Sequence, residues 1–203
     1  MVGHTPAGKK KMLKEIHAML DEADIVVTFN GDKFDLKILN QEFLMAGLGP
    51  ASPYKSVDLY KVVKRKFRFT SNKLGYLLRR FNLQRKLDNP GIDMWIACMT
   101  KGHAEYSSMW DIMEEYNVGD VFATEELYDF LLPWIPNHPN RTLYDGTGAC
   151  PVCGGDHIQR RGVHVSKSLK YQRFQCMDCG QWLRSTRAEP REIPLGEQLV
   201  VAA

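Results

Sequence analysis

Four cysteines form two close pairs in the last third of the 203-residue sequence, with two residues inside each pair. They are Cys150, Cys153, Cys176 and Cys179. A glycine, Gly154 or Gly180, follows each pair and lets the backbone turn beneath the two thiolates. Two such turns supply four sulfur ligands, which favours a structural Zn²⁺ site because no position is left for water. Two disulfides are the alternative, and they are rare in a reducing cytoplasm.

Two aspartates far apart in the sequence, Asp35 and Asp120, are candidate ligands for a metal ion. Asn30, Phe34 and Asp35 follow an apolar run, and α/β folds form their sites at the carboxyl ends of strands. Tyr116 and Asp120 are four residues apart, which puts the phenol and the carboxylate on one face of a helix. The alternatives are a turn that caps a helix in the first case, and a surface aspartate beside a half-buried tyrosine in the second.

Basic residues are concentrated in two stretches, although the formal net charge is only +3. Between Asp58 and Asp88 there are ten lysines and arginines and no acidic residue. Between the cysteine pairs, basic and aromatic residues are interleaved, and the arginines there are Arg160, Arg161 and Arg173. Phosphate contacts and base stacking use this mixture, so both stretches favour a nucleic acid as partner. A solvated helix face, and a structural or protein-binding module, are the alternatives.

Periodicity predicts that these residues lie on a helix-rich α/β scaffold. Residues 8–22 have apolar positions at helical spacing, residues 25–29 have the composition of a buried strand, and residues 34–46 resume the helical pattern. A second strand at 56–59, parallel to the first, would complete a β-α-β unit. The pattern from 61 to about 132 is mostly helical.

Prolines and glycines after residue 132 indicate a linker between two domains. The predicted regions are an α/β domain at 1–132, a linker at 133–149, a small zinc ribbon at 150–186 and a flexible tail at 187–203. Within the ribbon, residues 159–165 and 171–175 would form a hairpin.

In this context Asn30, Phe34 and Asp35 resemble the second motif of the DEDD 3′→5′ exonucleases, the DnaQ-like branch of the ribonuclease H-like superfamily. Tyr116 and Asp120 resemble the third motif in its tyrosine form, DEDDy. Residues 8–184 are similar to phage exonucleases and proofreading domains, several of which end in a zinc ribbon. The resemblance implies a ribonuclease H-like fold and hydrolysis of phosphodiester bonds at DNA 3′ ends.

The resemblance also implies a role for each motif residue. Asp35 and Asp120 would hold Mg²⁺ or Mn²⁺, hard cations that take carboxylate oxygens, in a two-metal site. Tyr116 would orient the attacking water. Asn30 and Phe34 would position the 3′ end of a single DNA strand.

The first motif of that family, Asp-x-Glu, is absent, since none of the 13 aspartates is followed by glutamate two positions later. In the family, this motif lies on a strand that precedes the helix predicted at 8–22. We therefore expect an incomplete ribonuclease H-like fold, through truncation, through a second chain that supplies the missing strands, or through loss of catalysis. Asp24, Asp58 and Asp93 have suitable chemistry to replace it, but the predicted helices and turns give them capping roles. For this chain alone we expect poor solubility or oligomerisation and negligible exonuclease activity.

The missing motif leaves two further functions open. One is a catalytically inactive nucleic-acid-binding module, and the other is an accessory subunit that docks on a replication protein. No apolar run approaches the ~20 residues of a membrane span, and the first residues lack a signal-peptide pattern. We therefore expect a cytoplasmic protein of a bacterium or a phage-infected cell, with no membrane partner.

Overall fold

A computed structural model describes residues 6–83, 91–100, 104, 106–167 and 169–189. The chain separates into two compact units, residues 1–131 and residues 132–203. Arg85 and Lys86 of the first basic stretch, and residues 190–203 of the expected tail, lie outside the described residues. In the described part of the chain, no helix has both the length and the apolar composition to cross a membrane.

The N-terminal unit opens with a β-α-β unit preceded by a helix. Its elements are helix α1 (Pro6–Glu22), strand β1 (Ile25–Thr28), helix α2 (Asp35–Met45) and strand β2 (Lys55–Asp58). The two strands are parallel neighbours, in register from Ile25 beside Lys55 to Thr28 beside Asp58. The predicted helices, strands and parallel pairing are confirmed, because apolar periodicity and β-branched composition agree along this segment.

Strand β1 is less buried than its apolar sequence predicts. All four of its residues are half-buried, whereas their composition predicts a buried strand. Within the described residues, β1 and β2 form a two-stranded sheet, so the other edge of β1 has no neighbouring strand. The composition alone therefore overstates the burial of β1, because the described elements pair with this strand at one edge only, as the expected incomplete fold implies.

Four helices follow the second strand. They are α3 (Leu59–Lys66), α4 (Leu74–Phe81), α5 (Ile92–Met99) and α6 (Tyr106–Leu131). At one end of α6, Met113 packs with Met94 and Cys98 of α5. Near the other end, the rings of Phe130 and Phe81 of α4 lie 4.6 Å apart between centroids.

The apolar core of this unit comes from residues at helical spacing on α3, α4 and α6. Its fully buried members include Leu59, Val63, Leu77, Leu78, Leu127 and Leu131. Because these positions recur every three or four residues, each helix turns one face to the core, and α3 and α4 leave their lysines and arginines exposed. The result is the helix-rich α/β architecture expected from the sequence.

The C-terminal unit is a small antiparallel sheet with short helical turns before it. Its elements are a 3₁₀ turn (Leu132–Trp134), helix α7 (Thr142–Asp145) and strands β3 (Ile158–Val165), β4 (Lys170–Cys176) and β5 (Trp182–Arg184), in the order β3-β4-β5. The predicted hairpin is confirmed as β3 and β4, and β5 is an addition that we did not predict. A bulge follows Arg160 in β3, where Gly162 adopts a φ of 71° that favours glycine.

Candidate active site and metal centre

The turn after β1 is tied to the start of α3 by one buried carboxylate. The backbone N–H groups of Asn30 and Tyr60 both donate to Asp58 Oδ1, at 2.8 and 3.0 Å. Asp58 is only 4% exposed and is the N-cap of α3. Asn30 has a φ of 66°, a left-handed conformation that asparagine tolerates better than most residues. Asp58 therefore has the capping role expected of it, and it also holds the end of β1.

The same turn folds back tightly on β1 before α2 begins. A Cβ added to Gly31 would lie 2.6 Å from Cβ of Thr28, closer than real side chains approach. The Leu36 N–H donates to the Gly31 carbonyl at 3.0 Å, which fixes the first turn of α2. Asp35 is the first residue of that helix, so its position follows from this close packing.

A polar network lies beside this turn. The Asp32 carboxylate accepts from Ser56 Oγ at 2.5 Å and from Lys61 Nζ at 2.6 Å. Burial opposes the charge of Asp32, but the hydrogen bonds from Lys61 and Ser56 outweigh it and lower the pKa of this carboxyl. The hydrogen bond to Asp32 in turn raises the pKa of Lys61. These contacts stabilise the turn. The Asp32 carboxylate does not line the nearby cleft that Asp35 lines.

A cleft of about 1490 Å³ brings four of the sequence-predicted site residues together. Asn30, Asp35, Tyr116 and Asp120 all line it. Tyr116 and Asp120 do so because four-residue spacing keeps them on one face of α6, as predicted. Phe34 is not among the lining residues; it is 50% exposed, and its ring lies 5.3 Å from Lys33 Nζ.

Helix α6 contributes more of the cleft than the motif alone indicates. Eight of its residues line the cleft in two adjacent rows, Tyr116, Asp120, Thr124 and Tyr128 in one, and Asn117, Val121, Glu125 and Asp129 in the other. Thr124 Oγ1 donates to the Asp120 carbonyl at 2.7 Å. We did not identify Glu125 and Asp129 from the sequence, although their four-residue spacing was the signal that would have found them.

Helix α4 and the segment that leads into it supply cations to the same cleft. Lys73 and Arg79 line it together with Asn72 and Tyr76. From the sequence, both cations were members of the first basic stretch without an assigned place. Carboxylates from α6 and cations from this segment can bind a divalent cation and a phosphate ester side by side.

The four predicted zinc ligands converge in the C-terminal unit. Their sulfur atoms all lie within 4.8 Å of one another, and Cys150 to Cys179 and Cys153 to Cys176 measure 3.8 and 3.7 Å. A tetrahedron with Zn–S bonds of about 2.3 Å has edges of about 3.8 Å, so these separations fit zinc. They are far longer than the ~2.05 Å of a disulfide, and all four cysteines are free. The cluster can therefore hold a metal such as zinc.

The two cysteine turns have matching backbone geometry. Gly154 N–H donates to the Cys150 carbonyl at 2.9 Å, and Gly180 N–H donates to the Cys176 carbonyl at 3.0 Å. Both glycines have a φ of 78°, as the spacing predicted. Cys150 and Cys176 are fully buried. Burial, with the neighbouring thiols Cys153 and Cys150, raises the pKa of Cys179.

The three ribbon arginines predicted to bind substrate do not share one face. Arg160 is in register with Phe174 of β4, and its guanidinium contacts the Gln172 side chain. Arg173 is in register with Arg184 of β5. Because successive residues of a strand point to opposite faces, Arg160 and Arg173 lie on opposite faces of the sheet. Arg161 falls at the bulge between the registered pairs.

Comparison with known families identifies the class of protein. A family model described as the RNase H superfamily matches residues 1–132, well over half of the chain. The chain therefore belongs to the RNase H superfamily, and the expected ribonuclease H-like nuclease class is supported at this level. The whole cleft lies inside the matched residues. No curated protein and no solved structure matches the chain.

Proposed function

We propose that this chain carries the active site of a 3′→5′ exonuclease of the DnaQ-like, DEDDy type found in phages, acting on DNA 3′ ends. The observation that carries the proposal is that Asn30, Asp35, Tyr116 and Asp120, which belong to two motifs far apart in the sequence, line one cleft. Membership of the RNase H superfamily over residues 1–132 agrees with it.

Each motif residue has a role that its chemistry suits. Asp35 and Asp120 hold Mg²⁺ or Mn²⁺ through carboxylate oxygens, the ligands that these hard cations prefer. Bound divalent ions supply Lewis-acid stabilisation of the attacking and leaving oxygens. The Tyr116 hydroxyl orients the attacking water, and Asn30 positions the terminal nucleotide. Phe34, which is exposed and directly precedes Asp35 in the sequence, stacks on that nucleotide.

The carboxylate donor set is only partly supplied by the described residues. In the described ranges, the one group of three or more adjacent His, Cys, Asp or Glu ligands is the cysteine cluster. Asp-x-Glu is also absent from the sequence. The edge of β1 that has no partner strand among the described residues offers backbone N–H and C=O groups to another strand. We therefore propose that a strand bearing Asp-x-Glu pairs there, and that the chain without it has negligible activity.

The substrate of this proposal is a polyanion, and cations are placed to meet it. Lys73 and Arg79 of the cleft contact phosphates close to the scissile bond. In the C-terminal unit, Arg160 and Arg173 add positive charge to opposite faces of the sheet, and Arg161 adds it at the bulge. Affinity for single-stranded DNA then falls steeply as salt rises, because each contact releases counterions.

The C-terminal unit is proposed as a structural zinc ribbon over 150–186, following a nuclease domain at 1–132 and a linker at 133–149. Four thiolates would close the coordination sphere of Zn²⁺ and leave no site for chemistry. A reducing cytoplasm, in a bacterium or a phage-infected cell, keeps these thiols available to the metal.

Metal binding tests the cleft with the chain as it is. Titration with Mn²⁺, followed by electron paramagnetic resonance, should give a site that Asp120→Asn weakens at least tenfold. Asp111→Asn is the matched control, because Asp111 is exposed on α6 and does not line the cleft. Equal Mn²⁺ affinity of the Asp120 variant and the wild type would overturn the metal-binding role.

Activity tests the reaction itself. Adding an N-terminal segment that carries Asp-x-Glu should produce Mg²⁺- or Mn²⁺-dependent loss of nucleotides from 3′ ends. In that protein Asp35→Ala or Asp120→Ala should abolish cleavage, and Tyr116→Phe should slow it about 100-fold by misplacing the water. Cleavage undiminished by Asp120→Ala would contradict the assignment of the site.

A second candidate function is favoured by the missing Asp-x-Glu motif. It is a catalytically inactive module that binds nucleic acid, or that docks as an accessory subunit on a replication protein, through the ribbon and the basic helices. DNA binding that persists while the segment bearing Asp-x-Glu confers no cleavage would select this function.

A further inference from the structure

We propose that one face of the C-terminal sheet is a stacking platform for unpaired bases of a single-stranded nucleic acid. The platform consists of His164 on β3, Tyr171 and Arg173 on β4, and Trp182 and Arg184 on β5. None of these residues is among those that line the cleft of the N-terminal unit, and the proposal does not depend on cleavage.

Strand register places these residues on a common face. Tyr171 is in register with His164, and Arg173 is in register with Arg184. Tyr171 and Arg173 are two residues apart on β4, as are Trp182 and Arg184 on β5, and such residues share a face. The opposite face carries Ile158 and Leu183, which pack against the cysteine cluster.

Rings and guanidinium groups are interleaved across the platform. The Arg184 guanidinium carbon lies 4.4 Å from the centroid of Tyr171. The Arg173 guanidinium carbon lies 5.8 Å from the centroid of Trp182. The centroids of His164 and Tyr171 are 6.1 Å apart. Planar groups thus form a continuous row, the arrangement that proteins use to stack successive bases.

The charge of this face calls for an anionic partner. Arg173 and Arg184 are directly opposite each other, and like charges in that position destabilise a sheet. Within the described part of this unit, the ion pairs involve other residues, and no carboxylate pairs with either arginine. Phosphate groups of a bound strand would relieve the repulsion between the two arginines, while its bases stack on the aromatic rings. Between residues 150 and 189 the chain has seven lysines and arginines against three acidic residues, so the surroundings add to the attraction.

The exposed aromatic surface selects a single strand over a duplex. Trp182 is 53% exposed, and Arg184 is also exposed. Aromatic faces can stack on bases only where those bases are unpaired. Every base has a π-face, so we expect little sequence preference and similar behaviour of DNA and RNA strands.

Fluorescence anisotropy with the zinc-loaded full chain tests the platform. The probes are labelled oligo-dT, oligo-rU and a DNA duplex of equal length, and the Asp120→Asn background prevents loss of probe if the cleft is active. Trp182→Leu and Tyr171→Leu should each weaken oligo-dT binding about tenfold, and Trp182→Phe should restore most of it. Arg184→Lys keeps the charge but removes the planar group, so it should weaken binding severalfold.

Arg187→Lys is the matched control, because Arg187 is exposed after the end of β5 and belongs neither to the platform nor to the predicted substrate-binding residues, and it should leave affinity unchanged. Retained zinc and retained sheet content show that a variant is folded. If the Trp182→Leu variant does not fold, the affinity of the Arg184→Lys variant tests the platform instead. Affinity unchanged in Arg184→Lys and Tyr171→Leu, or a duplex bound as tightly as oligo-dT, would overturn the platform. Neither result depends on whether the cleft cuts DNA.

Discussion

Asn30 and Asp58 are joined by a hydrogen bond of 2.8 Å from the Asn30 backbone N–H to Asp58 Oδ1, across the carboxyl ends of two parallel strands. The same oxygen caps α3 through Tyr60. One carboxylate thus fixes the turn that leads to Asp35 and the helix that follows β2. The cleft owes its shape at this edge to a residue that does not line it.

Asp58→Ala should lower the free energy of unfolding by about 2–3 kcal/mol, because it removes a cap and leaves the partly buried Asn30 N–H without its partner. Asp58→Asn should recover most of the loss, since its amide oxygen can accept the same bonds. Urea unfolding followed by circular dichroism measures both. Asp24→Ala, just before β1, is the control and should change stability little; an unfolding midpoint shared by the Asp58→Ala variant and the wild type would contradict this role.

Gly31→Ala should destabilise the N-terminal unit by about 1–3 kcal/mol, because the new methyl group would collide with the Thr28 side chain. Gly49→Ala is the matched control, since a Cβ there meets no atom within 4 Å. Thermal unfolding of the two variants compares them directly. Equal melting temperatures would show that the turn relaxes around the added carbon.

Freshly purified, reduced protein should contain about one Zn²⁺ per chain, held by the four thiolates. Cys176→Ser should lose the metal and unfold residues 150–184, because zinc supplies folding energy on the order of 10 kcal/mol to such a module. Elemental analysis and far-ultraviolet circular dichroism measure the two effects. Cys98→Ala, which alters the buried cysteine outside the cluster, should retain zinc; wild-type protein without zinc would refute the site.

Asp32→Asn should lower stability at pH 7 by no more than about 1 kcal/mol, because the pair with Lys61 is partly exposed. The pKa of Asp32 is lowered in the folded protein, so this stabilisation is present above the unfolded pKa and is lost as pH falls through the folded one. The difference between variant and wild type should therefore shrink as pH falls below the ordinary aspartate range, and vanish once pH is below the lowered pKa of Asp32 in the folded protein. Lys61→Met should reproduce the profile, and a difference that persists in acid would argue against it.

Much of the α/β scaffold could be predicted because local signals agreed with the tertiary structure. The apolar periodicity of α1 and α2, the β-branched run of β1 and the glycines of the cysteine turns each favour one conformation. Tyr116 and Asp120 were paired correctly because a single helix fixes their relative position. The parallel neighbour of β1 followed from the length of the connecting helix.

Other features depend on contacts that local sequence does not encode. Strand β5 has only three residues, too few for a periodic pattern, and exists because β4 pairs with it. The half-burial of β1 depends on which strands lie beside it, and the described residues supply such a strand at one edge. The separation of Arg160 from Arg173 follows from strand register and a bulge, neither of which composition reveals.

Helix α6 is braced at both ends and lines the cleft between them. Met113 is set into α5 at one end, Phe130 meets α4 near the other, and the residues from Tyr116 to Asp129 lie in between. Because the helix is held at both contacts, a substitution at Met113 or Phe130 should change the tilt of α6 as a whole. The Tyr116 phenol and the Asp120 carboxylate would then move together, and the distance between them would stay constant. Substitutions outside the cleft can thus change the width of the cleft without changing the relative position of Tyr116 and Asp120.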